Sequence, residues 1–372
     1  MTTLEESLLP EGVRSRILND INGLNVHILE SGHETPGRPL ILLLHGFPEL
    51  AYSWRKVIAP LAQAGYHVVA PDQRGYGLTT GGDGDYHSDI ASFRMFNLVR
   101  DAMGIVHAVG HDTVAGVFGH DFGSPVAAWS SLIRPDIFKS VALMSAPIGQ
   151  AASIANAAAG EDVHTAMAAL DRPRKHYQWY YSTPEANDNM VHCPQGVHDF
   201  LRAYYHHKSA DWAANKPYPL AGWRAEELAK LPTYYIMDLD QGMAETVDKE
   251  MPSPEEIAAC AWLPEAELEV YSSTFARTGF QGGLNWYRCA TSTRFQPEME
   301  LFSGRTIDTP SLYIAGSSDW GIYQKPGDFE RMQNEFCTDM RGCHLLDGAG
   351  HWVQQEQPEE TVRLLIEFLD AQ

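Results

Sequence analysis

Five residues, Gly119-His120-Asp121-Phe122-Gly123, constrain the fold of this chain more than any other feature. They directly follow the apolar run Val114 to Phe118. They precede Ser124 to Arg134, where Val126, Trp129 and Ile133 mark one face of a helix. Small residues two positions before and after the centre permit a strained strand-to-helix turn. Such a turn holds the central side chain, Asp121, above a sheet and beside the positive end of the helix. The flanking sequence agrees. Leu40 to Leu44 is a continuous apolar run that suits a strand buried on both faces, and His67 to Ala70 and Val141 to Met144 repeat the type. A helix is expected over Tyr52 to Ala64. Ahead of these, Arg16 to Ile21 and Leu24 to Glu30 flank Asn22-Gly23, the signature of a tight hairpin. Strand-like sequence resumes at Ser311 to Ala315 and His344 to Leu346. A last helix shows Val362, Leu365, Ile366 and Leu369 on one face, with Pro358, Glu359 and Glu360 at its start. Strands alternating with helices predict an α/β fold with a mostly parallel central sheet covered on both sides.

From about residue 148 the texture changes. Ala-rich, helix-prone sequence gives way to a stretch dense in Tyr, Trp, His and Pro that runs to about 305. The simplest arrangement is one core formed by 1–147 and 306–372, interrupted by an inserted, mainly helical cap over 148–305. Gly81-Gly82-Asp83-Gly84 marks a flexible loop. With 27 basic and 48 acidic residues the net charge is −21, which opposes binding to nucleic acid or anionic lipid. No apolar run approaches the ~20 residues of a membrane span. Met1 to Pro10 carries Glu5 and Glu6 and no secretory pattern. Five cysteines without a C-x-x-C pair suggest free thiols. These features describe a cytoplasmic globular protein.

An aspartate at the strand-to-helix corner carries chemical information, although a helix cap is its plain alternative. A serine attacking an sp³ carbon would form an ether, which water does not readily cleave. A carboxylate forms an ester, whose carbonyl a positioned water can attack. Asp121 therefore points to an alkyl electrophile such as an epoxide or a carbon–halogen centre. His45-Gly46-Phe47-Pro48 follows the Leu40–Leu44 strand, and its Phe47 N–H with that of Phe122 would form an oxyanion hole. His45 reads as a structural residue of that loop. Of 16 histidines, His351 lies in Asp347-Gly348-Ala349-Gly350-His351-Trp352, after the last strand and before the terminal helix, where a water-activating base belongs. Asp319, just beyond Ser311–Ala315, would orient it, with Asp328 as the alternative acid.

These residues resemble the α/β-hydrolase family, and specifically its epoxide hydrolase branch, over nearly the whole chain. The likeness rests on His45-Gly46-Phe47-Pro48, Asp72-Gln73-Arg74-Gly75-Tyr76-Gly77, the Asp-centred turn and Gly350-His351-Trp352. Gly282-Gly283-Leu284-Asn285-Trp286-Tyr287-Arg288 is similar to the epoxide hydrolase lid segment whose tyrosine points at the nucleophile. The resemblance matches the second lid tyrosine to Tyr177, followed by Gln178, while Tyr180 and Tyr181 stand close enough to compete. It implies a vicinal diol made from a small apolar or aryl epoxide and water. Asp121 would carry the alkyl ester, and Tyr287 and Tyr177 would bind the epoxide oxygen. Phe47, Phe122, Gln178, Trp179 and Trp352 would line the pocket. No metal or cofactor is expected, since the His-Asp pairs at 111–112, 120–121 and 198–199 lack ligand spacing. Phe122 departs from the tryptophan that many relatives carry after the nucleophile. That counts against a haloalkane or haloacid dehalogenase using the same ester, as does the absence of the arginine found there in defluorinating relatives. The dehalogenase remains the enzymatic alternative, and a non-catalytic ligand-binding protein on this scaffold is the other. A homodimer is left open.

Overall fold

In the computed structural model, which describes residues 3–82, 84–149 and 162–372, Asn22 and Gly23 both take positive φ (49° and 81°). There β1 (Val13–Ile21) turns back antiparallel onto β2 (Leu24–Ser31), as the Asn-Gly pair predicts. The strands that follow are β3 (Leu40–Leu44), β4 (His67–Pro71), β5 (Gly116–His120) and β6 (Val141–Met144). All residues in these four are buried, which is why they read as unbroken apolar runs rather than alternating ones. Between them lie α1 (Arg55–Gln63), α2 (Met95–Ala108) and α3 (Gly123–Ile133). A 3₁₀ turn over Ala51–Trp54 precedes α1 where the sequence suggests one continuous helix. The expected strand at Val114 starts later, because Val114 makes only an isolated bridge to Phe138. Pairing instead runs on through Gly119 opposite Leu44 and His120 opposite Met144.

The next segment holds β7 (Arg174–His176), α4 (Tyr177–Tyr181), α5 (Gly196–Lys208), β8 (Ile236–Asp238), α6 (Glu265–Thr278) and α7 (Gln281–Thr291), besides shorter helices. β7 and β8 pair antiparallel in a separate two-stranded ribbon. Strands of three residues are too short to show a period of two, so this ribbon carries no sequence signal. The Ala-rich run after 148 falls mostly on 150–161, outside the described residues. So do Asp83 of the Gly81–Gly84 loop and Met1 and Thr2 of the amino-terminal segment.

β9 (Ser311–Gly316) and β10 (Met340–Leu346) complete the eight-stranded sheet, in the order β1-β2-β4-β3-β5-β6-β9-β10. β1–β2 and β2–β4 pair antiparallel and every later pair is parallel. The sheet is thus mostly parallel, as the alternation predicts, and its arrangement is the one that the resemblance to the α/β-hydrolases implies. The terminal helix α8 (Pro358–Asp370) buries Val362, Leu365 and Leu369. Among the described residues no helix is long and apolar enough to cross a membrane. One consequence matters for function. The parallel strands β3, β5, β9 and β10 release the chain at the same edge, so the segments after them converge there.

Candidate active site

Asp121 sits at the corner between β5 and α3 with φ of +50°, a strained conformation for a side-chain-bearing residue. The corner is tight enough to demand glycine on both sides. A Cβ on Gly119 would lie 2.1 Å from Gly123 O, and one on Gly123 would lie 2.2 Å from Leu44 O. The Asp121 carboxylate is engaged at both oxygens. Oδ1 accepts from Phe47 N at 2.9 Å, and Oδ2 lies 3.2 Å from His351 Nε2. His351 Nδ1 in turn lies 3.1 Å from Asp319 Oδ1, which also accepts from Gly321 N at 2.7 Å. All three side chains are buried. Burial would raise the Asp121 pKa, but the His351 hydrogen bond and charge, with Lys208 and His120 behind, hold it well below the usual carboxylate range. Asp328, the alternative acid, is taken up by Arg331 instead.

His351 is fixed by its backbone as well as its ring. Its carbonyl accepts from His120 Nε2 at 2.7 Å and from Ser145 Oγ at 2.8 Å. His120 Nδ1 lies 2.6 Å from Glu49 Oε2, with both side chains fully buried. A carbonyl and a carboxylate can only accept, so both ring nitrogens of His120 carry hydrogens and the ring is an imidazolium. Burial opposes that charge, but Glu49 overcomes it and raises the His120 pKa; the same pairing lowers that of Glu49. On the other side, His351 N donates to Lys208 O at 2.9 Å, the last residue of α5. Glu356 accepts from the flanking Gly350 N and Trp352 N and from Ala210 N. Burial pushes the Glu356 carboxyl up to about 8. Glu49, His120, Ser145, Lys208 and Glu356 were not singled out from the sequence. Adjacency to the two motifs was the only available signal for Glu49 and His120, and none marked the others.

Above Asp121 opens a cavity of about 510 Å³. Tyr177, Gln178, Trp179, Phe122 and Tyr287 border it, together with the apolar Trp129, Phe295 and Met299. Tyr287, on α7, packs edge-on against Phe122 and Phe47 at 5.1 and 5.5 Å between ring centres. The Tyr177 hydroxyl donates to Gln324 Oε1 at 3.1 Å and accepts from Gln178 Nε2 at 3.2 Å. Burial, then the Asp121 charge, raises the pKa of both phenols well above 10, so both keep their protons at neutral pH. The competing tyrosines go elsewhere. Tyr181 bonds Tyr204 in the interior, and Tyr180 borders a separate hollow of about 690 Å³ beyond Trp179. Two expected lining residues do not border the cavity. Trp352 is fully buried behind His351 and donates its indole N–H to Tyr205 O at 2.8 Å. The Phe47 ring lies beneath Tyr287 and Tyr181 and reaches the site through its backbone N–H.

α7 is seated on the core by close backbone contact. A Cβ on Gly282 would fall 1.9 Å from Gly75 O, and Trp286 Nε1 donates to Arg74 O at 2.9 Å. Arg74 is itself held by two hydrogen bonds to Asp101. Thus the motif Asp72–Gly77 is the seat on which Tyr287 is carried.

Comparison with known proteins agrees with this fold. A family model described as the alpha/beta hydrolase fold matches residues 39–358. Epoxide hydrolase A of Mycobacterium tuberculosis (strain ATCC 25618 / H37Rv) is 32% identical over 363 residues, covering 96% of this chain and 98% of its own. Among solved structures, an epoxide hydrolase from an endophytic Streptomyces aligns with a TM-score of 0.77 and 31% identity, over 97% of this chain and 96% of its own. Epoxide Hydrolase A from Mycobacterium thermoresistibile aligns at 0.75 and 32% identity, over 96% and 98%.

Proposed function

The chain belongs to the α/β-hydrolase fold family and, within it, to the epoxide hydrolases, enzymes that act on ether bonds, and from that premise we propose that it converts an epoxide and water to a vicinal diol through an ester on Asp121. One observation carries this reading. A carboxylate at a strained corner has a backbone donor on one oxygen, a histidine on the other and two protonated phenols in the cavity above it. Two buried phenols facing a carboxylate suit a substrate whose oxygen becomes negative as its carbon is attacked.

Asp121 Oδ2 attacks a ring carbon of the epoxide, and the C–O bond on that carbon breaks. The electron pair stays on the epoxide oxygen, which Tyr287 and Tyr177 bind and protonate. Oδ1, already bonded to Phe47 N, remains the carbonyl oxygen of the ester. His351, oriented by Asp319, then takes a proton from water, and the hydroxide adds to the ester carbon. The negative charge returns to Oδ1, where the Phe47 and Phe122 amides receive it. Collapse of that intermediate breaks the acyl–oxygen bond, and the departing alkoxide takes the proton of the added hydroxyl, which releases the diol and restores the carboxylate, while the proton held by His351 returns to the tyrosine that gave one up. The inserted segment 148–305 acts as the cap that carries both tyrosines and keeps bulk water from the ester. An apolar or aryl substituent suits a cavity whose lining includes Trp129, Phe295 and Met299.

The test is a His351→Gln variant incubated with an aryl epoxide and read by intact mass and peptide mapping. The expected result is a stable adduct equal to the whole epoxide mass, located on Asp121. A haloalkane under the same conditions would add its mass less hydrogen halide. Labelling only by the haloalkane, or no label on Asp121, would overturn the proposal.

A further inference from the structure

Lys208 is a buried cation without a role in the reaction as set out above. It ends α5, is 3% exposed, and its carbonyl receives the N–H of the base His351. Its ammonium is met by ring faces rather than carboxylates. Nζ lies 5.5, 5.7, 5.0 and 5.4 Å from the ring centres of Tyr204, Tyr234, Tyr235 and Trp352. Ring faces attract a cation and do nothing comparable for a neutral amine, so such a cage marks the charged form. The cage also fixes where the charge sits. The Trp352 ring that forms one wall of the cage stands edge-on to the His351 ring at 4.8 Å, so the ammonium and the imidazole lie against the same indole. Burial lowers the Lys208 pKa from the ordinary lysine value, while Asp121, Asp319 and Glu49 work in the opposite direction. In reverse, Lys208 is among the charges that keep Asp121 ionised.

We propose that Lys208 is a positioning residue whose caged ammonium stabilises negative charge on the Asp121 carboxyl, and so serves the breakdown of the ester rather than its formation. The asymmetry follows from where charge moves, and it rests on the reading that Asp121 forms the ester. During attack, negative charge leaves Asp121 for the epoxide oxygen at the tyrosines. A cation behind Asp121 stabilises the starting carboxylate and gives no help to that step. During hydrolysis, charge returns to the same carboxyl group as an oxyanion. The cation now stabilises what is being formed.

The experiment compares Lys208→Met, which keeps the stem packed among the rings, with Lys208→Arg, which keeps a cation there. Single-turnover measurements with an aryl epoxide read ester formation and ester breakdown separately, and a thermal unfolding midpoint reports the fold. In Lys208→Met, breakdown is expected to slow about tenfold while formation is not slowed, because the starting carboxylate loses the same support. kcat and KM then both fall and kcat/KM does not, with ester accumulating at steady state. Lys208→Arg should recover much of the breakdown rate. A merely structural lysine would lower kcat/KM and slow both steps, and that outcome overturns the proposal. So does a folded Lys208→Met with unaltered breakdown. Should the Met variant not fold, Lys208→Arg and Lys208→Gln are compared for the same split, and its absence is equally decisive. Failure to trap any ester on Asp121 in His351→Gln would instead remove the proposed function itself.

Discussion

Gly282→Ala isolates how α7 carries its tyrosine to the substrate. The added Cβ would stand 1.9 Å from Gly75 O, whereas real Cβ contacts do not fall below 3.0 Å, so the backbones must part by about 1.1 Å. Gly75 offers only backbone to yield, and its own missing Cβ would meet Gly282 in turn at 2.7 Å. Tyr287 lies five residues along the same helix, so a rigid shift withdraws its hydroxyl by about the same distance. The Trp286–Arg74 hydrogen bond, now 2.9 Å, is stretched beyond use. Overpacking costs about 1–3 kcal/mol of stability, and the lost hydrogen bond about 1 kcal/mol more. A misplacement of about 1 Å at a catalytic group costs on the order of 10²-fold in rate, equivalent to about 2.7 kcal/mol of barrier. Stopped-flow single turnovers, followed through tryptophan fluorescence, should therefore show ester formation slowed about 10²-fold. Ester breakdown should stay within about threefold, because Asp121, His351 and the Phe47 amide belong to segments that do not move. A folded variant that forms ester at more than a third of the wild-type rate would refute the reasoning.

Tyr177→Phe and Tyr287→Phe should each slow ester formation by about 10–10²-fold, and the double variant by more than 10³-fold, in the same single-turnover assay. Equal rates for the single and double variants would mean that the two phenols do not share the oxygen. Glu49→Gln removes the partner of a buried imidazolium and should cost about 3–5 kcal/mol of unfolding free energy, measured by denaturant titration. The Glu49 pKa is lowered and the His120 pKa raised, so the pair's contribution is lost as pH falls below about 4.5 and again as pH rises through the elevated His120 value. The difference from wild type should be greatest between about pH 4.5 and 6.5, and a difference that does not vary with pH would exclude an ion pair.

The corner at Asp121 was legible because its requirement is local: two glycines, an apolar strand and a helix lie within about twenty residues. The same holds for the Asn22-Gly23 hairpin, whose turn type needs positive φ at adjacent positions. Asp319 and His351 were legible for a topological reason. Parallel strands deliver their ends to one edge, so position after a strand stands in for position in space. The choice among Tyr177, Tyr180 and Tyr181 was not decidable locally. Three aromatic residues on one short helix point in different directions, and only the packing around α4 says which meets the cavity. Trp352 misled because a tryptophan beside the base looks like a pocket wall, whereas it fills the interior behind the ring. The Glu49–His120 pair spans 71 residues of chain, and the Lys208 cage is closed by Tyr234, Tyr235 and Trp352, which lie 26, 27 and 144 residues away, and no spacing rule encodes those.

The backbone of His351 is pinned at its amide by the end of α5 and at its carbonyl by His120 and Ser145 beneath. α5 lies within 148–305, proposed above as the cap, whereas His120 and Ser145 lie in 1–147, so the proposed base is anchored half in the roof and half in the floor of its own chamber. The roof therefore cannot lift as a single door without unseating the histidine.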